Sequence, residues 1–108
     1  MDIIKVAGTS RTSAVAGAIA GIFRENKRAE IQAIGAGAVN QAVKAIILAT
    51  GYLAEDGYDV VFSPEFTDVE IDDKVRTAIK ITAELRRPEH VREEALLQVE
   101  DEGNGQGP

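Results

Sequence analysis

The chain has no cysteine and no tryptophan, a single histidine, and only 5% aromatic residues. Without cysteine there is no disulfide framework, no thiolate metal site and no cysteine nucleophile. The histidine, His90, lies beyond Pro88 in a polar C-terminal stretch. A Ser–His or Thr–His catalytic pair would therefore draw its base from outside the apolar body of the chain. No carboxylate pair sits beside a pocket signal, and the sequence assigns no enzymatic activity, catalytic residue, metal ligand or cofactor. Long apolar runs are missing too: the longest, residues 14–23, stops at Arg24, short of the roughly 20 residues of a membrane span. The start, Met1-Asp2-Ile3-Ile4-Lys5, lacks the basic patch, apolar stretch and small-residue cleavage site of a secretory signal. A cytoplasmic protein with no membrane partner is expected. There is also no excess of basic charge; the net charge is −6, which counts against a strong polyanion binder.

What is present fits one ordinary domain: 108 residues, 44% hydrophobic and 28% charged. The charge is unevenly spread. Residues 1–45 carry six basic side chains against three acidic, residues 46–85 three against nine, and residues 86–108 three against six. The first part is mildly basic, which leaves room for a local basic patch.

Residues 2–7 read as a strand from their β-branched content, ended by Gly8-Thr9-Ser10-Arg11. Thr12 or Ser13 is placed to cap a helix over residues 14–26, whose internal Gly17 and Gly21 cost about 1 kcal/mol each and imply a close backbone neighbour. Lys27-Arg28 makes a turn into a second strand, residues 29–34, closed by Gly35-Ala36-Gly37. A second helix follows over residues 38–49, with Val39, Val43, Ile46 and Ile47 as its buried stripe and Asn40, Gln41 and Lys44 opposite. Gly51 and Gly57 bracket a connection to an apolar strand at residues 58–63, which Pro64 stops. Residues 75–85 then alternate as a strand with Ile79, Ile81, Ala83 and Leu85 on one face.

The order is β-α-β-α-β-β. Strands covered on both faces read as unbroken apolar runs, yet Lys5, Gln32, Lys80, Thr82 and Glu84 interrupt three of these four strands at alternating positions. The fold class is therefore α/β of the two-layer α+β kind: a four-stranded mixed sheet with two helices on one face, over residues 1–86. Residues 87–108 form a C-terminal extension, in which residues 89–98 have the pattern of a short amphipathic helix and the acidic, glycine-rich remainder reads as disordered.

Three features bear on function. Gly35 and Gly37 make a glycine turn at a helix start, where free amides hold a phosphate or simply let the helix begin tightly against the sheet. A dinucleotide fingerprint would require glycine at Asn40. Asp68, Glu70, Asp72 and Asp73 resemble the start of a calcium loop, but Asp73 occupies its glycine position and Ile79 its bidentate glutamate position, so a solvated edge or hairpin is the reading. Finally, Thr9, Ser10 and Arg11 in the first loop, with Asn40, Gln41 and Lys44 on the second helix, offer hydroxyls, amides and cations suited to phosphate and sugar contacts. The same residue types also coat ordinary loops. With so few aromatics, base stacking is weak.

The segments SAVAGAIAG at residues 13–21, EIQAIGAGAVNQAVKA at residues 30–45, FTD at residues 66–68 and RTAIK at residues 76–80 resemble the stage V sporulation protein S family, of the Alba-like superfamily. The likeness spans about residues 2–86. It implies a bacterial cytoplasmic protein of Alba-like fold that regulates sporulation or a related developmental programme through nucleic-acid binding and dimerisation. Where Alba proteins carry a lysine-rich loop this chain has Thr9-Ser10-Arg11, so the implied binding to DNA or RNA is weak. The expected reading is a non-enzymatic regulator, a homodimer or homotetramer, with Ser10, Arg11, Asn40, Gln41 and Lys44 at the nucleic acid. The alternatives are a protein-interaction scaffold built on the wet sheet face or the acidic hairpin, and a small phosphate-ligand binder at the glycine turn.

Overall fold

The structure is a computed structural model that describes residues 2–86. The elements run β1 (Ile3–Val6), α1 (Thr12–Asn26), β2 (Arg28–Ala33), α2 (Ala36–Glu55), β3 (Val60–Ile71) and β4 (Lys74–Leu85). The sheet order is β1-β2-β4-β3, with β1 parallel to β2 and the other two pairings antiparallel. The two-layer α+β class expected from the alternation is the class observed. The expected helix over residues 89–98 and the tail after it lie outside the described residues. Among the described residues, no helix is long and apolar enough to cross a membrane.

Register explains why one sheet face is apolar. Ile4 and Val6 of β1 stand beside Ile31 and Ala33 of β2, which stand opposite Ile81 and Ile79 of β4. Ile31, Ala33, Ile81 and Ala83 are buried beneath the helices with Val15, Ile19 and Phe23 of α1. The intervening residues, Lys5, Glu30, Gln32, Lys80 and Glu84, fall on the other, open face because strand side chains alternate. Helix α1 ends at Lys27, whose backbone enters the left-handed region at φ 58° and whose N–H donates to the Phe23 carbonyl. Its ammonium donates to the Arg24 carbonyl at 2.7 Å and lies 5.3 Å from the centroid of the Tyr58 ring. These contacts offset the cost of a non-glycine residue in that conformation.

Several expectations from sequence are corrected. Pro64 does not stop β3; it stands opposite Ile81 within a 12-residue strand. β3 is an edge strand with one side unpaired, the place in a sheet where proline is tolerated. Helix α2 buries Ala38, Ala42, Ala45, Ala49 and Leu53, while the expected core residues Val43 and Ile47 are 46% and 65% exposed. Packing through alanine favours the face that approaches most closely, and the larger residues point away; Val39 and Ile46 remain half-buried at its margins. Helix α2 also runs through Gly51 to Glu55, so only Gly57, at φ 87°, lies in the connection. At α1, Arg11 is the N-cap, and neither Thr12 nor Ser13 supplies a capping side chain.

The close neighbour inferred for Gly17 and Gly21 is also absent: a Cβ at either would meet nothing within 4 Å. Their entropic cost is then uncompensated within the protomer. Gly17→Ala and Gly21→Ala are each expected to stabilise the fold by about 0.5–1 kcal/mol, seen as a raised urea midpoint with an unchanged m-value.

Candidate functional site

The loop after β1 and the start of α2 are built as one unit. Ser10 closes the loop on itself: its N–H donates to the Ala7 carbonyl at 3.0 Å and its Oγ accepts from the Ala7 N–H at 2.9 Å. Gly8 then meets Gly37, a Cβ on either lying 3.7 Å from the other's backbone. Gly35 is the N-cap of α2 with φ 92° and ψ 155°, a region open essentially only to glycine. Gln41 fastens the two segments. Its Nε2 donates to the Ser10 carbonyl at 2.7 Å and to Thr12 Oγ1 at 3.3 Å, and its Oε1 accepts from Lys44 Nζ at 3.4 Å.

The structure therefore brings Ser10, Gln41 and Lys44 into one hydrogen-bonded chain, with Arg11 following Ser10. Ser10 and Gln41 spend their polar groups internally and act as framework. Arg11, Asn40 and Lys44 are exposed and free to meet a ligand. Gly35 and Gly37 are also exposed, at the start of α2.

Charge pairing divides the molecule into two ends. Where α1 and α2 finish, the arginines are neutralised: Arg24 with Asp56 at 2.6 Å, Arg28 with Glu30 at 3.0 Å and Glu84 at 2.9 Å, and Arg86 with Asp59 at 3.1 Å, while Lys27 is held by the Arg24 carbonyl and the Tyr58 ring. At the opposite end, where both helices begin, Arg11 and Lys44 form no ion pair among the described residues. Lys5, Lys74 and Arg76, which likewise form no ion pair among the described residues, belong to this end. Lys80 is held there by Glu65 at 3.3 Å.

Sequence reasoning did not single out Lys74 and Arg76, because it ended β3 at Pro64. Carried through Pro64, the hairpin becomes a long arm: Ile79 is the last β4 residue paired with β2, and the ladder continues to Ile71 opposite Lys74. The acidic segment at residues 68–73 is the tip of this arm, as the hairpin reading expected. Asp72 and Asp73 make its turn at φ 52° and 63°, values that suit a two-residue hairpin connection. Among the described residues, no three metal-ligating side chains come together.

This chain matches the family model described as Stage V sporulation protein S over residues 2–86. It belongs to that family. Membership marks it as a sporulation-related protein. Among solved structures, Alba from Thermoplasma volcanium is similar at a TM-score of 0.50 and 23% identity, covering 77% of this chain and 99% of that one. That likeness shows the fold, and the Alba-like architecture is the one described above. For this family member the Gln41 bridge is open to test. Gln41→Ala is expected to cost about 1–2 kcal/mol and to speed amide exchange in residues 8–12 more than in the sheet, measured by hydrogen exchange.

Proposed function

We propose that this protein is a non-enzymatic cytoplasmic regulator of sporulation or a related developmental programme that binds nucleic acid weakly, DNA or RNA, as a homodimer or larger homo-oligomer. The observation that carries the reading is an uneven distribution of ion pairing: Arg24, Arg28 and Arg86 at one end meet carboxylates and Lys27 there is held by a carbonyl and the Tyr58 ring, while Arg11 and Lys44 at the other end form no ion pair among the described residues and stand on a fastened loop and helix start. In this reading Arg11, Asn40 and Lys44 contact phosphate and sugar, Ser10 and Gln41 position them, and the Gly35–Gly37 amides add a backbone contact at the helix N-terminus. Phosphate contacts of this kind carry no sequence information and weaken with salt.

Titration of labelled single- and double-stranded DNA and RNA at two salt concentrations tests this. Binding at low salt that is weakened about tenfold or more in an Arg11→Ala/Lys44→Ala double variant is the expected outcome. Binding unchanged in that variant, or none in the unaltered chain at low salt, removes the assignment.

The homo-oligomer is supported by α2. Its outward side carries Val43, Ile47, Leu48 and Tyr52, exposed at 46%, 65%, 38% and 37%, alongside the polar Asn40, Lys44 and Thr50. Phe66, 77% exposed, stands opposite Ile79 and so shares the sheet side on which the helices lie. Exposed aliphatic and aromatic side chains along one helix mark an association surface. Ile47→Glu is expected to leave the fold intact and to convert the oligomer to monomer in sedimentation experiments. An unaltered chain that sediments as a monomer removes this part of the reading.

A further inference from the structure

The register of the arm sorts its charges by face. Phe66, Asp68 and Glu70 stand opposite Ile79, Thr77 and Val75, the series that continues from the buried Ile81 on the helix side. Thr67, Val69 and Ile71 stand opposite Ala78, Arg76 and Lys74, the series that continues from Lys80 on the open side. The carboxylates of Asp68 and Glu70 and the cations of Lys74 and Arg76 therefore leave the arm from opposite faces. The open face continues onto the body of the sheet, where Lys80, Gln32 and Lys5 stand abreast on β4, β2 and β1; the carboxylates of this face are each paired, Glu65 with Lys80 and Glu30 and Glu84 with Arg28.

We propose that the open face of the sheet, through Lys5, Lys80, Arg76 and Lys74, is a second nucleic-acid surface that tracks the sugar–phosphate backbone. This rests on the nucleic-acid reading above and extends it to the face away from the helices. Lys74 and Arg76 are roughly 7 Å apart along the strand, Lys80 lies about 13 Å beyond Arg76, and Lys5 is about 10 Å across the sheet from Lys80. The series reaches from the arm to β1, which leads within six residues from Lys5 to Arg11. Of the four cations only Lys80 has a carboxylate partner among the described residues, and Lys5, Lys74 and Arg76 are exposed. The described open-face positions hold no aromatic side chain, so the surface has no stacking platform. Its contacts are to phosphate and are independent of base sequence.

The experiment is fluorescence anisotropy with the full chain and a labelled 20-nucleotide single-stranded DNA across a salt series. A Lys5→Gln/Arg76→Gln double variant is expected to bind about tenfold more weakly at low salt and to lower the log–log salt slope by about 1.4, two phosphate contacts on a single strand. Arg86→Gln, at the ion-paired end, removes one cation from elsewhere on the surface and is expected to shift affinity less than twofold. Equal losses in Arg76→Gln and Arg86→Gln single variants reduce the effect to overall charge and overturn the proposal. A wild-type slope in the double variant overturns it as well, and if Arg11→Ala/Lys44→Ala still weakens binding, the site at the helix starts stands alone. An unaltered chain that binds nothing at low salt removes both.

Discussion

A helix that meets its neighbours through alanine sits closer to them than one that meets them through leucine, and α2 packs inward by Ala38, Ala42, Ala45 and Ala49. Much else in the molecule follows from that approach. The larger side chains Val43, Ile47, Leu48 and Tyr52 have no place on the inward side and form an apolar outer surface. At its start the helix comes so near the loop after β1 that a Cβ on Gly8 or Gly37 would stand in van der Waals contact with the other's backbone and Gln41 reaches the Ser10 carbonyl. One packing decision thus sets both which side chains of α2 face outward and the loop that presents Arg11. A bulky residue at Ala42 or Ala45 would push the helix outward and loosen both together.

Element order and layering were legible in the sequence because they rest on periodicity. Polar residues at every second position of β1, β2 and β4 marked one face as uncovered, and the register places Lys5, Gln32 and Lys80 in a single row on it. The cluster at Ser10, Arg11, Gln41 and Lys44 was legible as a set of residue types, and the fold brings these residues together. Which of them are framework and which are free was not, because that distinction lies in hydrogen-bond geometry.

The misreadings share a cause. A periodic stripe of Val39, Val43, Ile46 and Ile47 signals an apolar face but does not say whether the protomer's own core or a second molecule covers it. Helix α2 has two apolar faces, alanine inside and larger residues outside, and hydrophobicity alone selects the wrong one. Pro64 is a breaker in a central strand and harmless at an edge, and its position depends on a sheet order that local sequence does not contain. Gly17 and Gly21 signalled a close neighbour that the protomer does not provide.

The proposed polyanion ligand is compatible with a net charge of −6 because of where the charges sit. At physiological ionic strength the screening length is about 8 Å, so a ligand responds to the charges it touches more than to the total. In the arm the segregation depends on register. Asp68 and Glu70 on one strand and Lys74 and Arg76 on the other face opposite ways because the two-residue turn at Asp72 and Asp73 pairs Ile71 with Lys74. One residue of slip would turn one strand's side chains over relative to the other. Cations and carboxylates would then share a face and neutralise one another. The turn that fixes the hairpin is thereby also what keeps a cationic side on an acidic arm.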